Sequence, residues 1–136
     1  MSSSDAWLRW TGQDLVFRGS AGGAPELVVD SANTTGTSPM GLFLLSLAGC
    51  MAVDVVMILE KGRVPLDGVE VRIDGTRADD PPRRYESIRL TYRLSGPAAH
   101  HEAKVQRAVD LSRDRYCSVL HTLRPDLELD IRVERS

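Results

Sequence analysis

Two cysteines are the side chains in this chain best suited to redox chemistry. Cys50 sits in LLSLAGCMAVDVVMILEKGR (44–63), and Cys117 sits in RYCSVL (115–120). A thiol attacks the O–O bond of a peroxide only as the thiolate. The product is a sulfenic acid, which a second thiol within reach condenses with to form a disulfide. Two cysteines are the minimum for that cycle. They lie 117 − 50 = 67 residues apart, so only the fold can bring them together. Asp54 follows Cys50 by one helical turn and shares its face. A bare carboxylate disfavours a neighbouring thiolate, so Asp54 is expected to pair with an arginine or to cap a backbone group. Tyr116, beside Cys117, is expected to be a packed side chain rather than a proton donor.

Other chemistries compete. Unpaired cysteine is among the most buried residue types, and packing alone accounts for most of them. A non-enzymatic binding module, with the cysteines lining an apolar cleft, is a second reading. Cys117 and His121 stand one helical turn apart, and His100–His101 add nitrogen donors. Zinc motifs usually show a clearer four-ligand spacing, so no metal and no cofactor is expected, and His121 is read as facing solvent or closing a backbone bond. No C-x-x-C is present, which ranks a general disulfide oxidoreductase low.

The elements that must position these groups follow from periodicity. Residues 7–18, WLRWTGQDLVFR, read as a hairpin with its turn at Thr11 and Gly12. A loop (20–26), a short strand (27–30) and a second polar loop (31–39) precede a long helix. Ser38 suits its N-cap and Pro39 its first position. It runs to Lys61, with Gly62 as the left-handed cap. GVEVRID (68–74) and SIRLTYRLSG (87–96) alternate as an antiparallel pair with a long connection. HHEAKVQRAVDLSRD (100–114) reads as an amphipathic helix with Ala103, Val105, Ala108, Val109 and Leu111 inward. A short helix (116–123) and a closing edge strand (127–134) complete a single α+β domain.

The long helix is apolar on all sides, which implies burial on all sides, in a large core or in a membrane. Asp54 in its middle would cost ~2.5–3.5 kcal/mol at a bilayer centre, so a membrane span is not expected. A homodimer that covers the outer face is the better expectation.

Composition limits the partners. The net charge is −2, with 42% hydrophobic and 26% charged residues, which argues against nucleic acid. The opening MSSSDAWLRW has no basic segment followed by an apolar core, so a cytoplasmic location is expected. There, two cysteines are more often catalytic, redox-active or inert than a structural disulfide.

The run Ser38-Pro39, nine residues, then GCMAVDVVMILEKGR, together with YCSV around Cys117, resembles the OsmC/Ohr superfamily. The similarity is to its OsmC-like branch and spans about Trp10 to Val133. The resemblance implies an OsmC-like fold: an intertwined homodimer of antiparallel sheets packed on long buried central helices. It implies a thiol peroxidase acting on organic hydroperoxides in oxidative stress defence, with a thiol or dithiol reductant. By the matched motifs, Cys50 is the peroxidatic thiol and Cys117 the resolving one. In the organic-hydroperoxide branch an arginine near the N-terminus pairs with a glutamate just after the helix-opening proline. Arg18 is the candidate arginine here, but Met40 and Gly41 follow Pro39, so that glutamate is missing.

Overall fold

A computed structural model describes all residues from Met1 to Ser136. The chain forms two compact units, Met1–Phe43 and Leu44–Ser136.

The N-terminal unit is built on a three-stranded antiparallel sheet, β1 (Ala6–Trp10), β2 (Val16–Ala21) and β3 (Leu27–Asp30), in that order. Its first turn spans residues 11–15, with Gly12 at φ +87° and Asp14 also left-handed. The loop after β3 is organised by Asp30, which is buried. Its carboxylate accepts from the amides of Ala32, Thr34 and Thr35 and from the Thr35 hydroxyl. Those amides, Thr35 first, hold the Asp30 carboxyl below its ordinary range. Asn33 then accepts from the Ser38 amide at 2.8 Å. Ser38 in turn caps the long helix α1 (Pro39–Lys61), accepting from the Gly41 amide at 3.1 Å.

In the second unit α1 buries one stripe: Leu47, Ala48, Met51, Val55 and Leu59. The other side of the helix is open in the single chain. Leu45 is 58% exposed, Val53 56% and Met57 50%. The expected burial on all sides is therefore met on one face only within one chain. By length and composition α1 could also cross a membrane. Its far end differs from expectation in one detail. The Gly62 amide bonds to Ile58 and the left-handed residue is Arg63, at φ +57°. The helical path runs one residue further before the chain turns, and Val64 closes it on the Leu59 carbonyl at 2.9 Å.

The second sheet has the order β4–β5–β6, with β4 at Gly68–Arg77, β5 at Tyr85–Ser95 and β6 at Glu128–Arg135. β4 and β5 are antiparallel, as their alternation predicts. β6 joins β5 in parallel, which corrects the expectation of wholly antiparallel sheets. The cause is the connection: helical turns between β5 and β6 return the chain to the starting end of β5, as a crossover must. The parallel register sets Arg89 across from Asp130 and Arg93 across from Glu134. Both pairs are ion pairs, at 3.3 and 3.6 Å. The inward set of β5, Ile88, Leu90, Tyr92 and Leu94, is fully buried.

The crossover holds a 3-10 turn (Ala99–His101), α2 (Glu102–Leu111), a π turn (Ser112–Tyr116) and the short α3 (Ser118–Thr122). Val105, Ala108 and Val109 of α2 are buried. Ala103, expected inward, is exposed, because it falls outside the arc that those three residues define.

Candidate active site

The π turn is the device that assembles the site. Its hydrogen bond runs from the Cys117 amide back five residues to the Ser112 carbonyl, at 2.9 Å. Cys117 leaves the turn extended and becomes the N-cap of α3, its sulfur accepting from the Leu120 amide at 3.4 Å. Ser112 and Cys117 are both fully buried, and they meet α1 at Cys50 and Asp54. The Ser112 hydroxyl donates to Asp54 Oδ2 at 2.8 Å. One sulfur each from Cys50 and Cys117 and one carboxylate oxygen of Asp54 all lie within 4.8 Å of one another. The two thiols are unbonded, Cys50 half-buried and Cys117 buried.

The structure thus brings together two thiols 67 residues apart in sequence. It also corrects the expected partner of Asp54, which is neither an arginine nor a backbone group but the Ser112 hydroxyl. A buried hydroxyl with a free donor needs an acceptor, and Asp54 supplies it.

The electrostatics of Cys117 follow from its burial. Burial pushes the Cys117 thiol up to about 11, and the neighbouring Cys50 and Asp54 add to the rise against the Leu120 amide. Cys117 is therefore held as a neutral thiol. Tyr92 on β5 was not singled out in the sequence, although strand alternation between Leu90 and Leu94 points it inward. Its hydroxyl is buried without a hydrogen bond of ordinary geometry. It lies in the field of Cys117, Asp54 and Cys50, close enough to Ser112 to feel that dipole, and burial keeps it protonated. Tyr116, expected to be packed, is half exposed beneath the Arg115 guanidinium. The buried tyrosine at this site is Tyr92, not Tyr116.

His121 is exposed and also closes backbone bonds, so both of its expectations held. Nδ1 faces the Cys117 carbonyl oxygen at 2.8 Å and Nε2 the Asp114 carbonyl oxygen at 3.2 Å. Its nitrogens are thus turned to the main chain and not to the sulfur. Arg18 lies on β2 in the N-terminal unit, largely exposed, and pairs with Glu26 at 3.6 Å.

Comparisons with known proteins show the family and the fold. A family model described as OsmC-like protein matches residues 31–132, which include both cysteines, Asp54 and Ser112. The Escherichia coli K12 protein YhfA is 36% identical over 115 residues, 84% of each chain. A crystal structure of a hypothetical protein from Aquifex aeolicus superposes with TM-score 0.88 at 28% identity, covering 100% of this chain and 98% of that one. A Legionella pneumophila structure, described as an organic hydroperoxide resistance protein OsmC, has the same fold, with TM-score 0.68 at 15% identity and 98% of each chain covered. With a family match over most of its length and a well-covered relative above 30% identity, this chain belongs to the OsmC-like protein family.

Proposed function

We propose that this protein is a thiol peroxidase that reduces organic hydroperoxides. The observation that carries the reading is the convergence of the Cys50 and Cys117 sulfurs within 4.8 Å. The Cys50 thiolate attacks the outer oxygen of ROOH. The S–O bond forms as the O–O bond breaks, the alkoxide takes a proton, and Cys50 becomes a sulfenic acid while ROH leaves. The Cys117 thiol then attacks the sulfenic sulfur, giving the disulfide and water. Two electrons from a thiol or dithiol reductant restore both thiols. The sulfurs must close from up to 4.8 Å to ~2.05 Å, which side-chain rotation can supply at a half-buried Cys50.

The surrounding groups fit these steps. Tyr92 offers a protonated hydroxyl, and Ser112 holds the Asp54 carboxylate in place. Arg18, in the N-terminal unit, is the arginine that the family resemblance carries over, and in this chain it pairs with Glu26. Arg18→Gln is then expected to slow the reaction of Cys50 with peroxide.

The assembly in this reading is a homodimer in the cytoplasm, with a second copy covering Leu45, Val53 and Met57. A non-catalytic binder is the second reading. It is favoured by the missing glutamate after Pro39 and by the apolar groove that Leu45, Gly49 and Val53 of α1 line with Val69 and Val71 of β4.

The deciding experiment titrates the thiols of reduced protein after one equivalent of cumene hydroperoxide, beside Cys50→Ser. Loss of both thiols within seconds, and of none in the variant, supports the peroxidase. A Cys50 no faster than free cysteine leaves the binding reading.

A further inference from the structure

The same three groups that converge for redox chemistry form a ligand set of a different kind. Two sulfurs and a carboxylate oxygen lie within 4.8 Å of one another. A tetrahedral zinc ion bound by sulfur at ~2.3 Å and by carboxylate oxygen at ~2.0–2.2 Å holds two such sulfurs and one such oxygen roughly 3.5–3.8 Å apart. Each side of the existing triangle, at most 4.8 Å, therefore needs to contract by no more than about 1.3 Å to enclose such an ion.

The donors are anchored in the way that metal ligands usually are. Asp54 is oriented by the buried Ser112 hydroxyl at 2.8 Å, an outer contact of the type that fixes a ligating carboxylate. Cys117 is fixed by its capping position on α3. Cys50 and Asp54 are half-buried, which leaves a path for an ion to enter. A second observation concerns the buried polar surroundings of the three donors. Tyr92 is 0% exposed; its hydroxyl makes no hydrogen bond of ordinary geometry, lies near the Ser112 hydroxyl and shares the field of Cys117, Asp54 and Cys50. A water bound to the ion would give that hydroxyl an acceptor. Soft thiolates select zinc or cadmium over magnesium or calcium.

The geometry points to a zinc-type site formed by Cys50, Cys117 and Asp54 in the reduced protein, with the metal and the disulfide as mutually exclusive states of one pair of thiols. Binding one Zn²⁺ displaces the two thiol protons and changes no oxidation state. The bound ion engages the lone pairs that would attack peroxide or form the disulfide. This ligand set differs from the Cys117, His121, His100 and His101 grouping that the sequence offers, because His121 is turned to the main chain.

The test titrates reduced, full-length protein with Zn²⁺ against a chromophoric chelator, without peroxide, so its outcome is independent of the peroxidase reading. One Zn²⁺ per chain is expected, with release of thiol protons and protection of the half-buried Cys50 from maleimide. Cd²⁺ should give a sulfur-to-metal charge-transfer band. Oxidised protein should not bind. Loss of a ligand in Cys50→Ser or Cys117→Ser should weaken binding on the order of 100-fold, and Asp54→Asn or Ser112→Ala about tenfold or more. Circular dichroism checks that each variant is folded. Maleimide protection in the wild-type chain needs no variant, so misfolding of any of them leaves the test intact. Affinity no greater than that of a small dithiol at the same pH, labelling unchanged by Zn²⁺, or undiminished binding in folded Asp54→Asn would overturn the site.

Discussion

The Ser112 hydroxyl donates to the Asp54 carboxylate at 2.8 Å across 58 residues of sequence, and this contact ties the π turn to the middle of α1. Ser112 is fully buried, so removing its acceptor or its donor leaves a polar group stranded. Hydrogen bonds to charged groups contribute ~1.5–3 kcal/mol. Ser112→Ala is expected to destabilise the reduced protein by about that amount. Urea denaturation measures it, and a double-mutant cycle with Asp54→Asn should show a non-zero coupling energy.

The two cysteines should fail differently. Cys50→Ser is expected to abolish peroxide consumption. Cys117→Ser should keep the first step, leave the sulfenic acid unresolved, and pass to the sulfinic acid with excess peroxide. Intact-protein mass spectrometry with sulfenic-acid trapping separates these products. Equal loss of the first step in both variants would contradict the assignment of roles.

The raised Cys117 thiol makes stability depend on alkaline pH. Its ordinary value is 9.0 and its folded value about 11. Between them the unfolded chain gives up the thiol proton while the folded chain retains it. The unfolded state then binds fewer protons, so stability falls as pH rises through that window. Below pH 9 this contribution is flat. The urea midpoint of reduced protein should drop more steeply from pH 9 to 11 than that of Cys117→Ser.

The exposed stripe on α1 should respond to charge. Leu45, Val53 and Met57 are each at least half exposed in the single chain. If a second copy covers them, Val53→Arg buries an unpaired charge at that interface, and light scattering should read half the wild-type mass. An unchanged mass would place the interface elsewhere.

Gly36 is a place where only glycine fits. A Cβ there would overlap the Val28 carbonyl, which is backbone and cannot rotate away. Gly36→Ala is expected to cost about 1–3 kcal/mol, as overpacking does. The cost should appear as a lowered melting temperature.

Much of the fold was legible because its local signals agree. Ser38 and Pro39 mark the start of α1, and alternation marks β4, β5 and β6. The site was legible only in part. Cys50 and Cys117 were identifiable from their residue type and motif. Tyr92 was visible only as one more inward residue in an alternating strand, and Ser112 as an ordinary residue late in a helical pattern. Tyr116, next to Cys117 in sequence, is half exposed, because adjacency along a chain does not carry through a π turn.

The sequence by itself determined the element types, the capped start of α1 and the presence of two thiols with a carboxylate one turn from the first. Those are properties of short windows, set by dihedral preference and hydrophobic period. Tertiary structure decided that β6 runs parallel to β5, that Ser112 rather than an arginine partners Asp54, and that the thiols converge. Each of these depends on how a crossover returns the chain and on an extra residue in one helical turn. Such effects arise from closing long loops and satisfying buried polar groups together, which no short window contains.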